Sequence, residues 1–140
     1  MTTGPTFAQQ RIVCLALLGG IAAYAAVVAF LLQDGARIAP EPVPPLGMVS
    51  IVAGIAVAIA ATAVRAALGA AARNAPANER ANRLFVARLA PIALLEGGAM
   101  LGITTWLINA DPMPGALVAG VLFALGLVFV PFTDPDANAI

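Results

Sequence analysis

The chain contains no histidine, and all seven of its basic residues are arginine, so lysine is missing too. Losing histidine removes the usual general base and the commonest metal ligand. The single cysteine, Cys14, excludes an internal disulfide and a thiolate zinc cage. Charge is scarce: charged residues make up 10% of the 140, against about a quarter in an ordinary soluble domain. Net charge is zero, and no basic surface of the kind that binds nucleic acid is written into the sequence. What is abundant is apolar surface, with 61% hydrophobic residues and a mean hydropathy of +0.97. Such a chain cannot cover a water-facing surface, so the lipid bilayer is its expected partner and solvent.

The apolar residues fall into four runs, at about 12–32, 46–68, 85–108 and 115–131. Each approaches the roughly 20 residues needed to cross about 30 Å of hydrocarbon. The connections are polar and rich in turn formers: "QDGARIAPEPVPP", "RNAPANERANR" and "NADPMPG". None of them can hold a soluble domain. The first run is too long for a signal-peptide core and is not followed by a clear small-residue cleavage site, so it reads as a retained helix. The expected fold is all-α, a single membrane domain over 1–140 built as a bundle of four transmembrane helices.

Arginine sets the expected orientation. Arg65, Arg73, Arg80, Arg83 and Arg88 surround the second connection, Arg11 precedes the first run, and the other connections hold Arg37 alone. The positive-inside bias therefore puts both termini and the second connection in the cytoplasm, with these arginines as anchors. Trp106 and Asn109 then fall at the outer interface, and Phe85, Phe129 and Phe132 at the inner one. A bacterial inner membrane suits this pattern. Arg65, near the end of its run, is expected to snorkel to the headgroups.

Between helices in lipid, close approach of small residues replaces the hydrophobic effect as the cause of association. Gly98 and Gly102 form a G-x-x-x-G pair in the third run, Gly54 lies in a small-residue stripe of the second, and Gly19 and Gly20 sit in the first. They serve either packing inside one bundle or an oligomer face.

Glu96 stands near the middle of "LAPIALLEGGAMLGITTWLI", where an ionised, unpaired carboxylate is costly. The neutral acid, both donor and acceptor, is expected there with polar partners. Tyr24, Thr104 and Thr105 are the candidates, and a Glu96–Tyr24 hydrogen bond is the expected pairing. Pro91, which removes a helical hydrogen bond, is expected to kink the helix just below the acid. The same acid is the candidate ion-binding residue.

The stretches "IVAGIAVAIAATAVRAALGAAARNAP" and "PIALLEGGAMLGITTWLI", within 46–108, resemble the hairpin of the proteolipid, or c subunit, of F-type and V-type rotary ATPases. That resemblance implies that Glu96 matches the ion-carrying acid and Arg73 the loop arginine. Alanines replace the family's repeated Gly-x-Gly, and the loop reads Arg-Asn-Ala-Pro. "ALLEGGAMLG" with "VPFTDPD" is also similar to a group of uncharacterised bacterial four-span proteins, a likeness that implies no activity. Small multidrug transporters share four helices and one membrane glutamate, although theirs lies in the first helix. With no histidine motif, serine site or membrane aspartate pair, an enzyme is not expected, and no cofactor or metal is implied. The leading expectation is a small structural or accessory subunit, as a homo-oligomer or beside other membrane subunits. Glu96 would be its protonated interhelical contact. A proteolipid-like proton or cation carrier is the alternative, and a small multidrug-type transporter a further one.

Overall fold

The computed structural model describes residues 6–36, 38–39 and 41–132. Arg37 and both chain ends, which entered the orientation argument, lie outside the described residues. The described residues form an all-helical bundle: α1 (Phe7–Gln33), α2 (Pro44–Arg73), α3 (Ala77–Asn109) and α4 (Gly115–Phe129).

The helix boundaries follow local chemistry. Thr6 and Gln9 make a reciprocal capping box at the start of α1, satisfying two orphan donors. Pro44 and Pro45 open α2, where a missing N–H costs nothing. Pro76 disfavours helix at the residue before it and separates α2 from α3. Ala110 ends α3 in the left-handed region, at φ 52°.

Two boundaries correct the sequence reading. The second half of "RNAPANERANR" is helical, because α3 begins at Ala77 rather than near 85. Glu79 sits in its first turn, favourable to the helix dipole, and pairs with Arg83 at 2.7 Å. In addition, α4 has 15 residues, about 22 Å at 1.5 Å per residue. The helices α1, α2 and α3, of 27, 30 and 33 residues, are long and apolar enough to cross a membrane, whereas α4 is shorter. The helix also continues unbroken through the buried Pro91.

The helix α3 is the hub, packing against each of the other three. The helix α4 touches all the others as well, whereas α1 and α2 make no contact with each other. Close approaches fix the directions. Gln10 meets Arg88 and Tyr24 meets Thr104, so α1 and α3 run parallel. Gly54 faces Val118 and Arg65 lies over Phe129, so α2 and α4 run parallel. The bundle is therefore up-down-up-down, with Arg11, Arg65 and Arg88 at one end, called here the arginine end.

Glycine permits the tightest crossings. A Cβ on Gly102 would lie 2.7 Å from the Gly115 carbonyl oxygen, and one on Gly115 would overlap the Gly102 carbonyl. The helices α3 and α4 thus meet backbone to backbone. Leu18, Ile92, Leu95, Ile103 and Leu122 fill the remaining core. The outer faces are apolar: Ile12 on α1 is 66% exposed, Val52 on α2 67% and Val86 on α3 45%. A belt of that character on three helices of spanning length is the surface of a membrane protein, not of one bathed in water.

Candidate functional site

Glu96 lies on the α1-facing side of α3, half-buried, about 12 Å along the axis from Arg88. Its carboxyl sits against Gly20: a Cβ there would be 3.1 Å from Glu96 Oε1. Absence of a side chain at Gly20 is what lets the acid enter the seam. Gly97, the next residue on α3, faces open space, with nothing within 4 Å of where its Cβ would be.

The expected Glu96–Tyr24 hydrogen bond is not made. Tyr24 Oη instead lies 3.2 Å from Thr104 Oγ1, while Thr104 also donates to the Met100 carbonyl at 2.8 Å. The phenol points along α1 away from Gly20, past the level of Glu96, and finds the hydroxyl two turns higher on α3. Thr105 is buried and donates to the Leu101 carbonyl at 3.0 Å. The four polar candidates thus divide. Glu96 meets Gly20, Tyr24 meets Thr104, and Thr105 is satisfied by its own helix. Among the described residues Glu96 makes no hydrogen bond or ion pair, and no group of acids capable of holding a metal is present.

The glycines divide as well. Gly54, Gly98 and Gly102 pack inside the bundle, against Val118, against Leu122 and Val57, and against Gly115 and Ala119. Gly19 faces open space and packs against nothing among the described residues. Gly47 packs against Pro114, and Gly115 and Gly126, the latter against Leu18, add close contacts that were not singled out in the sequence. Isolated glycines near a helix end offered no repeat to mark them.

At the arginine end the cations meet aromatic rings more than acids. Arg65 lies 4.3 Å over the Phe129 ring, Arg11 5.5 Å over Phe132 and Arg88 6.0 Å over Phe7. Arg65, expected to snorkel to the headgroups, thus stacks on α4 through Phe129. Arg88 also donates to Gln10 Oε1, a partner that matched depth along the two runs could have revealed. Arg80 reaches the Ala75 carbonyl at 3.4 Å, and Arg83 holds Glu79. Arg73 folds back along α2, its Nη1 3.9 Å from where a Gly69 Cβ would lie.

Three cavities accompany these groups. One of about 410 Å³ lies among Arg65, Arg88, Pro91, Phe129 and Phe132. A second, about 350 Å³, is bounded by Thr62, Arg65, Ala66, Arg73 and Phe129. The third, about 280 Å³, is wholly apolar and runs between α2 and α4 past Gly54, Ile55, Ala58, Val118 and Val121.

The chain matches no protein-family profile, no curated protein and no solved structure.

Proposed function

We propose that this chain is a four-span protein of a bacterial inner membrane, with both termini cytoplasmic, acting as a small structural subunit of a larger membrane assembly. Either further copies of the chain or other membrane subunits complete that assembly. Glu96 contributes to the α1–α3 seam, against Gly20, rather than carrying ions. The observation that carries this reading is the gap between α1 and α2. They stand apart over α3, leaving its Ala93 and Gly97 exposed, so the most central helix offers a small-residue face to a neighbouring helix. Small residues at a lipid-facing surface are where membrane helices associate.

The arginine end supports the orientation, since Arg11, Arg65 and Arg88 gather at one level with Phe7, Phe129 and Phe132, as at a cytoplasmic headgroup boundary. The helix α4 can complete a fourth crossing with the three residues after it, which add about 10 Å when extended.

The second reading is a proteolipid-like carrier, and one observation favours it: Glu96 is only half-buried and makes no hydrogen bond among the described residues. Substituting Glu96→Gln separates the two, because glutamine keeps the size and hydrogen-bonding capacity and removes the titration. In reconstituted vesicles the variant is expected to assemble as the parent does and to leave proton and sodium flux unchanged. Loss of a measurable flux with assembly intact would establish the carrier. In mild detergent the parent is expected to run as a complex heavier than one chain, and a uniform single-chain mass would refute the subunit reading.

A further inference from the structure

The arginine-bounded cavity of about 350 Å³ and the apolar cavity of about 280 Å³ lie on one seam. On α2 the lining residues Ile51, Ile55, Ala58, Thr62 and Arg65 follow at intervals of three and four, which keeps them on one helix face. On α4, Val118, Val121 and Phe129 line the facing wall. The apolar groove begins at Ala58, about 10 Å along the axis from Arg65, and ends at Ile51, about 21 Å away. Half the hydrocarbon thickness is about 15 Å. Gly54 makes room for the opposite wall, since a Cβ there would lie 2.5 Å from Val118 Cγ1.

The upper cavity is electropositive. Arg65 is held by its face on Phe129, and among the described residues the in-plane N–H donors of its guanidinium are unused. Arg73, folded back over Gly69, approaches the same cavity from the next turns of α2. Arg88 adds a third positive charge from the adjoining cavity, which shares Arg65 and Phe129. Among the described residues no carboxylate pairs with these arginines, and the acid at this end, Glu79, is engaged by Arg83.

A cationic cavity opening onto a dry apolar groove selects a molecule with an anionic head and a hydrocarbon chain. We propose that the α2–α4 seam binds one anionic phospholipid, with its phosphate between Arg65 and Arg73 and one acyl chain in the groove beside Gly54. Two donor-rich guanidiniums suit phosphate oxygens, and a net-negative headgroup gains from the third cation where a zwitterionic one does not. The inference rests on the membrane reading above.

The test is native mass spectrometry of the full chain in detergent with equimolar phosphatidylglycerol and phosphatidylcholine of identical chains. One phosphatidylglycerol is expected to bind in preference. Arg65→Gln and Arg73→Gln should each weaken that preference about fivefold, as one juxtamembrane cation is worth. Arg80→Gln, which removes the same charge away from the seam, should not. Val121→Phe, on the groove wall, should weaken binding of the long-chain lipid but spare a short-chain analogue with the same head. Equal losses from all three arginine variants would reduce the effect to general charge attraction and overturn the site. Complete displacement by millimolar inorganic phosphate would overturn the lipid in favour of a free anion. Asp134 and Asp136, in the tail after Phe132, are neutralised in a further variant. Unchanged preference supports the proposal; preference gained only on their neutralisation refutes it, because the tail then occupies the cavity. Insertion into neutral vesicles is scored separately. Failure to insert removes the membrane reading, whereas insertion without lipid preference removes this inference alone.

Discussion

Replacing Gly115 by alanine places a methyl group where the α3 backbone already lies. Its Cβ would overlap the Gly102 carbonyl and sit 2.9 Å from the Trp106 amide nitrogen. Neither neighbour is the flexible end of a side chain, so relief requires the helices to separate. The reciprocal variant Gly102→Ala shows the size of the shift. Moving its Cβ from 2.7 Å to an ordinary 3.4 Å from the Gly115 carbonyl oxygen opens the crossing by about 0.7 Å. A gap of 0.5–1 Å forfeits roughly a quarter to a half of each dispersion contact across it. The contacts at risk include Gly98 with Leu122 and Gly102 with Ala119. Each single variant is therefore expected to lose about 2–3 kcal/mol, the upper range for overpacking. The control is Gly120→Ala, on α4 itself but with nothing within 4 Å of the new methyl among the described residues. It should be neutral or gain up to about 1 kcal/mol from helix propensity. Unfolding of the purified protein in mixed micelles, followed by helical circular dichroism against denaturing detergent fraction, measures all three. Equal stability of Gly115→Ala and Gly120→Ala would refute the backbone contact between α3 and α4.

Three more outcomes are expected. In a double-mutant cycle, Tyr24→Phe and Thr104→Ala should couple by about 0.6 kcal/mol, typical of an interhelical hydrogen bond in lipid; Tyr24→Phe and Glu96→Gln should be additive, and the opposite result would restore the pairing expected from sequence. Cysteine at Asn78, exposed in the first turn of α3, should react with a membrane-impermeant reagent only from the cytoplasmic side, and cysteine at Ala39 only from outside. The reversed pattern would invert the orientation. Ala110→Gly should raise stability by about 0.5–1 kcal/mol, since glycine adopts the left-handed φ of 52° without a Cβ penalty; a loss would show that the position is unstrained.

Composition and hydropathy alone determine that this chain is helical and built for lipid. The reason is that satisfying every backbone polar group in hydrocarbon leaves few alternatives. Prolines 44, 45 and 76 mark helix boundaries as written, because their effect is local. The bounds of α3 were less legible, because "ANERANR" has no hydrophobic period and takes helical form through Pro76, Glu79 and the Glu79–Arg83 pair. The sequence also singles out Glu96, since an acid in an apolar run is visible without knowing its neighbours. Which neighbour it meets depends on the rotation and register of α1 against α3. Those are decided by close packing at Cys14, Leu18 and Ile92, where one-dimensional depth says nothing about azimuth. Equal depth thus pointed to Tyr24, whereas the seam brings Gly20 to the acid and carries the phenol up to Thr104. Glycine shows the same division. The G-x-x-x-G spacing of Gly98 and Gly102 is readable, but the partnership of Gly102 with Gly115, the open surroundings of Gly19 and the seam beside Gly54 exist only once the helices are laid together. Periodicity gives a helix its faces, and only packing assigns each face a neighbour.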